Sequence, residues 1–237
     1  MPSIDVCFSP ALLPLYDLTG KIAVAVDVLR ATSGMVTALA NGVTHIAPVS
    51  ELDACLAYRD QGYLVAAERD GIKAEGFDLG NSPFHYLDED HSGRFLAITT
   101  TNGTQAIRQS RSADEVLIGA FLNVGAVADY VRRAGKDVVV VCAGWKGLFN
   151  LEDTLFAGAL ADRLQGDFDL NNDATLAAFH LYQTAKADKL AFLSKSSHVQ
   201  RLERLHILKD IEFCLQEDTY TVVPILKGDF LVPAELA

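Results

Sequence analysis

Short runs that are apolar from end to end and rich in β-branched residues constrain this chain more than any other feature. Residues 22–28 read IAVAVDV and residues 138–142 read VVVVC. A strand with one wet face alternates apolar and polar residues, whereas a strand covered on both faces does not. Further runs of this kind lie at Ile4–Phe8, His45–Val49, Tyr63–Ala67, Phe95–Thr101 and Val116–Ile118. Between them the pattern predicts helices over Ser33–Asn41, Glu51–Gln61, Gly103–Ser110 and Asn123–Ala134, with Asn41-Gly42 and Ala134-Gly135 as C-terminal stops. Strands alternating with helices predict an α/β fold with a largely parallel sheet.

After about residue 150 the character changes. Leu151–Leu164, Ala174–Lys186 and Lys189–Leu208 read as helices, Asp210–Leu215 as a short helical turn, and Tyr220–Leu226 as a late strand. Pro224 places that strand at an edge, or itself at the strand's end. Gly166–Asn172 is the most loop-like boundary but is too short to separate two domains. The expectation is a single domain over 1–237, sheet-rich over 1–150 and helix-rich over 151–237.

Charge narrows the function. Lys and Arg number 20 against 31 Asp and Glu, a net charge of −11. A chain with no basic block lacks what a phosphate backbone requires, so a nucleic-acid partner is not expected. An anionic substrate needs a focused local site or a metal ion to offset the overall field. Cys7, Cys55, Cys142 and Cys214 form no CxxC clip, the N-terminus MPSIDVCFSP lacks a signal-peptide pattern, and no stretch reaches about 18 apolar residues. The expectation is a cytoplasmic protein with no membrane partner.

Polar residues cluster where the apolar runs end. Asp27 closes IAVAVDV, Glu68 follows YLVAA, and Thr99, Thr100, Thr101 and Asn102 close FLAITTTN. Asn123 follows VLIGAF, and Glu152 and Asp153 open a helix after VVVVCAGWKGLFN. Ligands of open α/β sheets bind outside the carboxyl ends of the strands, so parallel strands would gather these residues on one rim. In DVLRATS (27–33), Arg30 suits a bidentate oxyanion contact and Ser33 an anion-binding helix start, against an ordinary cap and a structural ion pair. TTTNGT (99–104) reads either as an Asn-Gly hairpin or as a hydroxyl-rich strand-to-helix turn that holds an anion, and the flank QAIRQS favours the turn.

ERDG (68–71) and GFDLGNSP (76–83) place carboxylates among glycines with few His or Cys, which suits a hard cation such as Mg²⁺. Turn chemistry is the stronger reading for Asp70 and Asp78, function for Glu68, and Asn81-Ser82-Pro83 also suits a helix start. Glu152 and Asp153 either complement a helix dipole or ligate metal. Trp145 and Phe149 read as core or rim packing, and His198 and His206 as surface or packing residues of an amphipathic helix.

DVLRATS, TALANG (37–42), ERDG, GFDLGNSP, TTTNGT, LNVGAVA and FNLEDTLFAG, in this order and spacing, resemble the 2-phosphosulfolactate phosphatase family. The resemblance implies a three-layer α/β/α fold with a mixed sheet. It implies Mg²⁺-dependent hydrolysis of 2-phosphosulfolactate to sulfolactate and phosphate, a step toward coenzyme M. Other phosphatase strategies leave no mark: Asp27 is not followed by a second Asp two residues on, no Cys has an Arg six residues beyond it, and no Arg-His-Gly occurs. Elimination favours metal-activated water attacking phosphorus directly.

On this hypothesis Asp27, Glu68 and Asp153 ligate Mg²⁺ with Glu152 as substitute, and Asp27, Glu68 and Arg30 form the catalytic set. Arg30 and the turn of Thr100, Thr101, Asn102, Gly103 and Thr104 hold phosphate. Arg69 or Lys146 holds a second acidic group, and Asn81, Ser82, Asn102 and Asn123 supply further substrate contacts. The partner is a small anionic phosphorylated substrate, and a homodimer is the base-rate expectation. Two alternatives remain: the same fold acting on another small phosphorylated acid, and a non-catalytic anion-binding module.

Overall fold

Alternation is hidden inside the apolar runs. In IAVAV, Ile22, Val24 and Val26 enter one core cluster while Ala23 and Ala25 enter another, and Val138 and Val140 are divided from Val139 and Val141 in the same way. Both faces of these strands are therefore covered, and the small alanines on one face let a helix approach closely. The computed structural model describes residues 1–235. Its strands are β1 (Ile4–Cys7), β2 (Ile22–Val26), β3 (His45–Pro48), β4 (Leu64–Arg69), β5 (Ile72–Lys73), β6 (Phe95–Thr99), β7 (Glu115–Gly119), β8 (Val138–Cys142), β9 (Pro224–Lys227) and β10 (Phe230–Pro233). The helices are α1 (Ala31–Ala40), α2 (Leu52–Leu56), α3 (Gly103–Gln109), α4 (Val124–Ala134), α5 (Leu151–Leu164), α6 (Asp173–Ala185), α7 (Lys189–Leu193), α8 (Ser197–Glu203) and α9 (Leu208–Cys214).

The strands form one mixed sheet in the order β1-β8-β2-β7-β9-β10-β3-β6-β4-β5. β1, β8, β2 and β7 run parallel, and so do β3, β6 and β4. Three antiparallel steps lie between the two blocks, β7–β9, β9–β10 and β10–β3, so the blocks are opposed along the sheet. A flat sheet would send their carboxyl ends to opposite rims. Twist of about 20–25° per step, accumulated over the six steps from β2 to β4, comes to about 120–150°. A rotation of that size would bring β4 back to within about 30–60° of the direction of β2. The residues Ala31–Leu39 of α1 are all buried, and the helix packs on β3, β7 and β9. Its polar members Ser33 and Thr37 donate their hydroxyls to the Val28 and Ser33 carbonyls, so the helix can be buried all round.

The core divides accordingly. α4, α5 and α6, with residues of α7, α8 and α9, cover the outer face of the first block. α1 and α3 fill the inner face, and α2 covers the far face of the second block through Cys55 against Val65, Ala67 and Ala97. The three-layer α/β/α arrangement with a mixed sheet is the expected one. All four cysteines are buried free thiols. Among the described residues no helix is long and apolar enough to cross a membrane.

Three sequence expectations change. The helix expected over Glu51–Gln61 stops at Leu56, and a separate 3-10 turn over Arg59–Gln61 ends at Gly62 with φ +84°. The helix expected over Lys189–Leu208 breaks into α7 and α8, because the Ser196 hydroxyl accepts from Val199 N–H and starts a new helix. The late strand begins at Pro224 and lies inside the sheet, paired with β7 and with β10, which the sequence reading did not include.

Candidate active site

Each strand end is fixed by its own local chemistry. After β2, Asp27 N–H donates to Thr32 Oγ1 at 3.0 Å and Thr32 N–H returns to Asp27 C=O at 2.9 Å. Ser33 Oγ donates to Val28 C=O at 2.8 Å, so these hydroxyls pin the loop and are spent on it. β4 and β5 are joined by Asp70-Gly71 with φ +54° and +85°, the two left-handed residues of a type I′ hairpin. This hairpin aims Glu68 inward. Gly71 N–H donates to Glu68 Oε1, and the Thr101 N–H and hydroxyl face Oε2 at 3.4 Å.

After β6 the TTTNGT segment is a helix start, as its flank predicts. Thr104 N–H donates to Thr100 Oγ1 at 3.2 Å, and the Thr104 hydroxyl to Thr100 C=O at 3.0 Å. A Cβ on Gly103 would stand 2.7 Å from Ala31 Cβ and 3.0 Å from Asp27 Oδ2. Only glycine lets the start of α3 press this close to Asp27.

These ends converge. Asp27, Arg30, Glu68, Asn81, Thr101 and Asn102 line one small chamber of about 20 Å³, room for about one water. It shares Arg30, Gly71 and Asn81 with an adjoining cavity of about 350 Å³. Burial pushes the Asp27 carboxyl up to about 7; Glu68 and Glu152 add to the rise and His198 opposes it. Arg30, 5% exposed, pairs with buried Asp210 and donates to Gly71 C=O at 2.7 Å. This engages part of its five-donor fork.

Other expected site residues do different work. Asp153 accepts from Val28 N–H at 2.9 Å and Gly144 N–H at 3.1 Å, bracing the loops after β2 and β8, and it does not line the chamber. Burial raises its pKa, Glu152 and Asp27 add to this, and the two amides oppose it. Asn123 accepts from Ala120 N–H and donates to Ile118 and Val222 C=O, tying β7 to the C-terminal segment away from the chamber. Arg69 donates to Glu68 C=O at 2.6 Å and Thr99 Oγ1 at 3.1 Å and so clamps β4 to β6. Ser82 caps the 3-10 turn Pro83–Tyr86 and lines the adjoining cavity. Thr100 and Thr104 border a separate surface pocket with Thr101. Lys146 is exposed, with its ammonium 4.6 Å from the Trp145 ring centroid and its N–H on Asn102 Oδ1 at 3.3 Å.

The C-terminal helices close the chamber, and the sequence reading missed their part. His198 is a buried lining residue, not a surface one, and its Nδ1 bonds to Glu152 Oε1. Arg201 also lines the chamber, with its guanidinium carbon 4.2 Å from the Trp145 ring centroid. Trp145 is thus a platform for cations as well as rim packing. The break at Ser196 and the three-residue spacing of His198 and Arg201 were the available signal, since residues i and i+3 share a helix face.

A hard cation fits the chemistry of the donors. Asp27 and Glu68 present oxygen ligands, and buried Glu152 Oε2 has no partner. Among the described residues no group of three or more His, Cys, Asp and Glu is placed to hold a metal ion by itself. Mg²⁺ commonly takes one or two carboxylates and completes its shell with water and substrate phosphate, so that requirement does not apply to it.

The chain matches the family model described as 2-phosphosulpholactate phosphatase over residues 7–229. It is 42% identical over 218 residues to a protein of Caldanaerobacter subterraneus subsp. tengcongensis named "Probable 2-phosphosulfolactate phosphatase", covering 90% of each chain. It is 42% identical to a protein of the same name from Thermotoga petrophila, over 93% of this chain and 96% of that one. A Gloeobacter violaceus protein with that name is 43% identical over 93% of this chain and 94% of its own length.

Proposed function

The chain belongs to the 2-phosphosulfolactate phosphatase family, and from that premise we propose that it hydrolyses 2-phosphosulfolactate to sulfolactate and inorganic phosphate with Mg²⁺ in the chamber. The observation that carries this reading is the meeting of Asp27 and Glu68 with Arg30 in one chamber. A site that only bound an anion would gain nothing from carboxylates facing its ligand unless a cation stood between them.

Asp27 and Glu68 are the residues that would hold the cation. Bound there, Mg²⁺ would offset phosphoryl charge and lower the pKa of water. The remaining Arg30 donors, Asn81 and the Thr101–Asn102 turn orient the phosphoryl oxygens. Glu152 engages His198 through Nδ1, which leaves Nε2 to hold a proton for the leaving oxygen. The water oxygen bonds to phosphorus and keeps its protons, the P–O ester bond breaks, the alkoxide takes the proton from His198 Nε2, and the phosphate formed returns one proton to that nitrogen.

The test is phosphate release from racemic 2-phosphosulfolactate, with phospholactate and phosphoglycolate alongside, in Mg²⁺ and in EDTA. Mg²⁺-dependent release, strongest on the sulfonate, is the expected result. Stronger release from another ester would retain the chemistry and discard this substrate. Release unaffected by EDTA would remove the cation.

A further inference from the structure

We propose that Arg201, seated on Trp145, binds an acid group of the substrate other than the phosphate and so selects phosphorylated acids over phosphate esters of uncharged alcohols. The proposal rests on the phosphatase reading above and names the group that discriminates within it.

The neighbouring cations are committed elsewhere. Arg30 is paired with Asp210, Arg69 is spent on Glu68 C=O and Thr99 Oγ1, and Lys146 lies exposed over Trp145. Arg201 differs from all three. Among the described residues it forms no ion pair, and its buried Nε has no acceptor. A guanidinium N–H withdrawn from water without an acceptor is costly until a ligand supplies one. Trp145 lies 4.2 Å below the guanidinium carbon, which orients its plane and leaves its edge for a bidentate contact. Sulfonate and carboxylate both match that fork. His198 and Arg201 lie three residues apart on α8 and line the same chamber, so one ligand can meet both. In a chain of net charge −11, a substrate that carries a sulfonate and a carboxylate as well as its phosphate needs a further local cation besides the one serving the phosphate.

The test compares wild type, Arg201→Met and Arg201→Lys on 2-phosphosulfolactate and on isopropyl phosphate, a secondary ester with no second acid. Arg201→Met should lower kcat/KM on the sulfonate about 30–100-fold, mainly through KM, and stay within about twofold on isopropyl phosphate. Arg201→Lys keeps the charge without the fork and should recover part of the loss. Equal losses on both esters would assign Arg201 to the phosphoryl group, and no loss on either would leave it without a role; both results overturn the proposal.

Titration calorimetry with sulfolactate supplies an independent readout. Its affinity should fall by a similar factor in Arg201→Met while that of inorganic phosphate is unchanged. If wild type fails to hydrolyse 2-phosphosulfolactate, the substrate assignment fails and sulfolactate binding decides the residue. Binding lost in the variant sustains the proposal, and absent or equal binding in both proteins overturns it.

Discussion

The strand ends and the C-terminal helices meet at one chamber but hold their charged groups by different means. Around the strand ends the backbone does the holding: Asp153, in the first turn of α5, takes the amides of Val28 and Gly144, and Glu68 takes those of Gly71 and Thr101. α7, α8 and α9 are short, and α7 and α8 begin at the side-chain caps Asp188 and Ser196. They dock through Leu193, Val199, Leu202 and Ile211. Their contact with the polar site runs through side-chain pairs, His198 with Glu152 and Asp210 with Arg30. A carboxylate held by amides stays put when a neighbouring side chain changes, whereas a buried pair that loses one member leaves the other uncompensated.

The largest expected effect breaks the comparison at the strand ends. Asp27→Asn should lower turnover about 10³–10⁴-fold, roughly 4–5.5 kcal/mol of barrier. It should not lower stability. Burial raises the folded pKa of Asp27 to about 7 from the ordinary 3.8, so folding disfavours the ionised form. Stability should therefore decline as pH rises from about 4 to 7 in wild type with EDTA, and less so in Asp27→Asn. Thermal melts across that range check both signs; a large drop in the variant's Tm would contradict this account.

Next in size is the pair carried by α9. Asp210→Ala leaves Arg30 buried without its counter-charge and should cost about 3–5 kcal/mol in urea unfolding. Adding Arg30→Met should return much of that loss. Asn123→Ala sharpens the contrast, because it removes three structural hydrogen bonds outside the chamber. It should cost about 2 kcal/mol of stability with turnover within about twofold.

The smallest effect lies at the base of the C-terminal helices. Burial pushes Glu217 up, but Lys189, Tyr182 and Arg163 outweigh it and hold the carboxyl below its ordinary 4.5. Its contribution is present above that value and lost as pH falls through the lower folded pKa. Glu217→Gln should flatten the acid limb of a Tm–pH profile slightly, and an unchanged limb would assign the acid loss elsewhere.

Much of this was legible in sequence because it is local. The ends of IAVAV and VVVVC, the helix start in TTTNGT and the whole of α5 follow from apolar runs, caps and glycine. Asp27, Glu68, Thr101 and Asn102 were placed by the same logic, and all four line the chamber. Arg69 and Asn123 lie at or just beyond strand ends too, yet Arg69 turns to Glu68 C=O and the Thr99 hydroxyl, and Asn123 to backbone groups around it. On an amphipathic helix His198 reads as a surface or packing residue, because the sequence carries no mark of its pairing with a carboxylate 46 residues earlier in the chain.

By itself the sequence determined the elements, the coverage of the central strands on both faces and the set of polar residues at strand ends. These rest on side-chain period and on backbone groups within a few residues of one another. Only the tertiary structure decided that two opposed parallel blocks would bring their carboxyl ends together, because twist accumulates over many strand steps. It alone decided which polar atoms are spent on backbone amides and which remain free. That accounting depends on contacts such as Arg30 with Asp210 and Glu152 with His198, made between segments far apart in the chain.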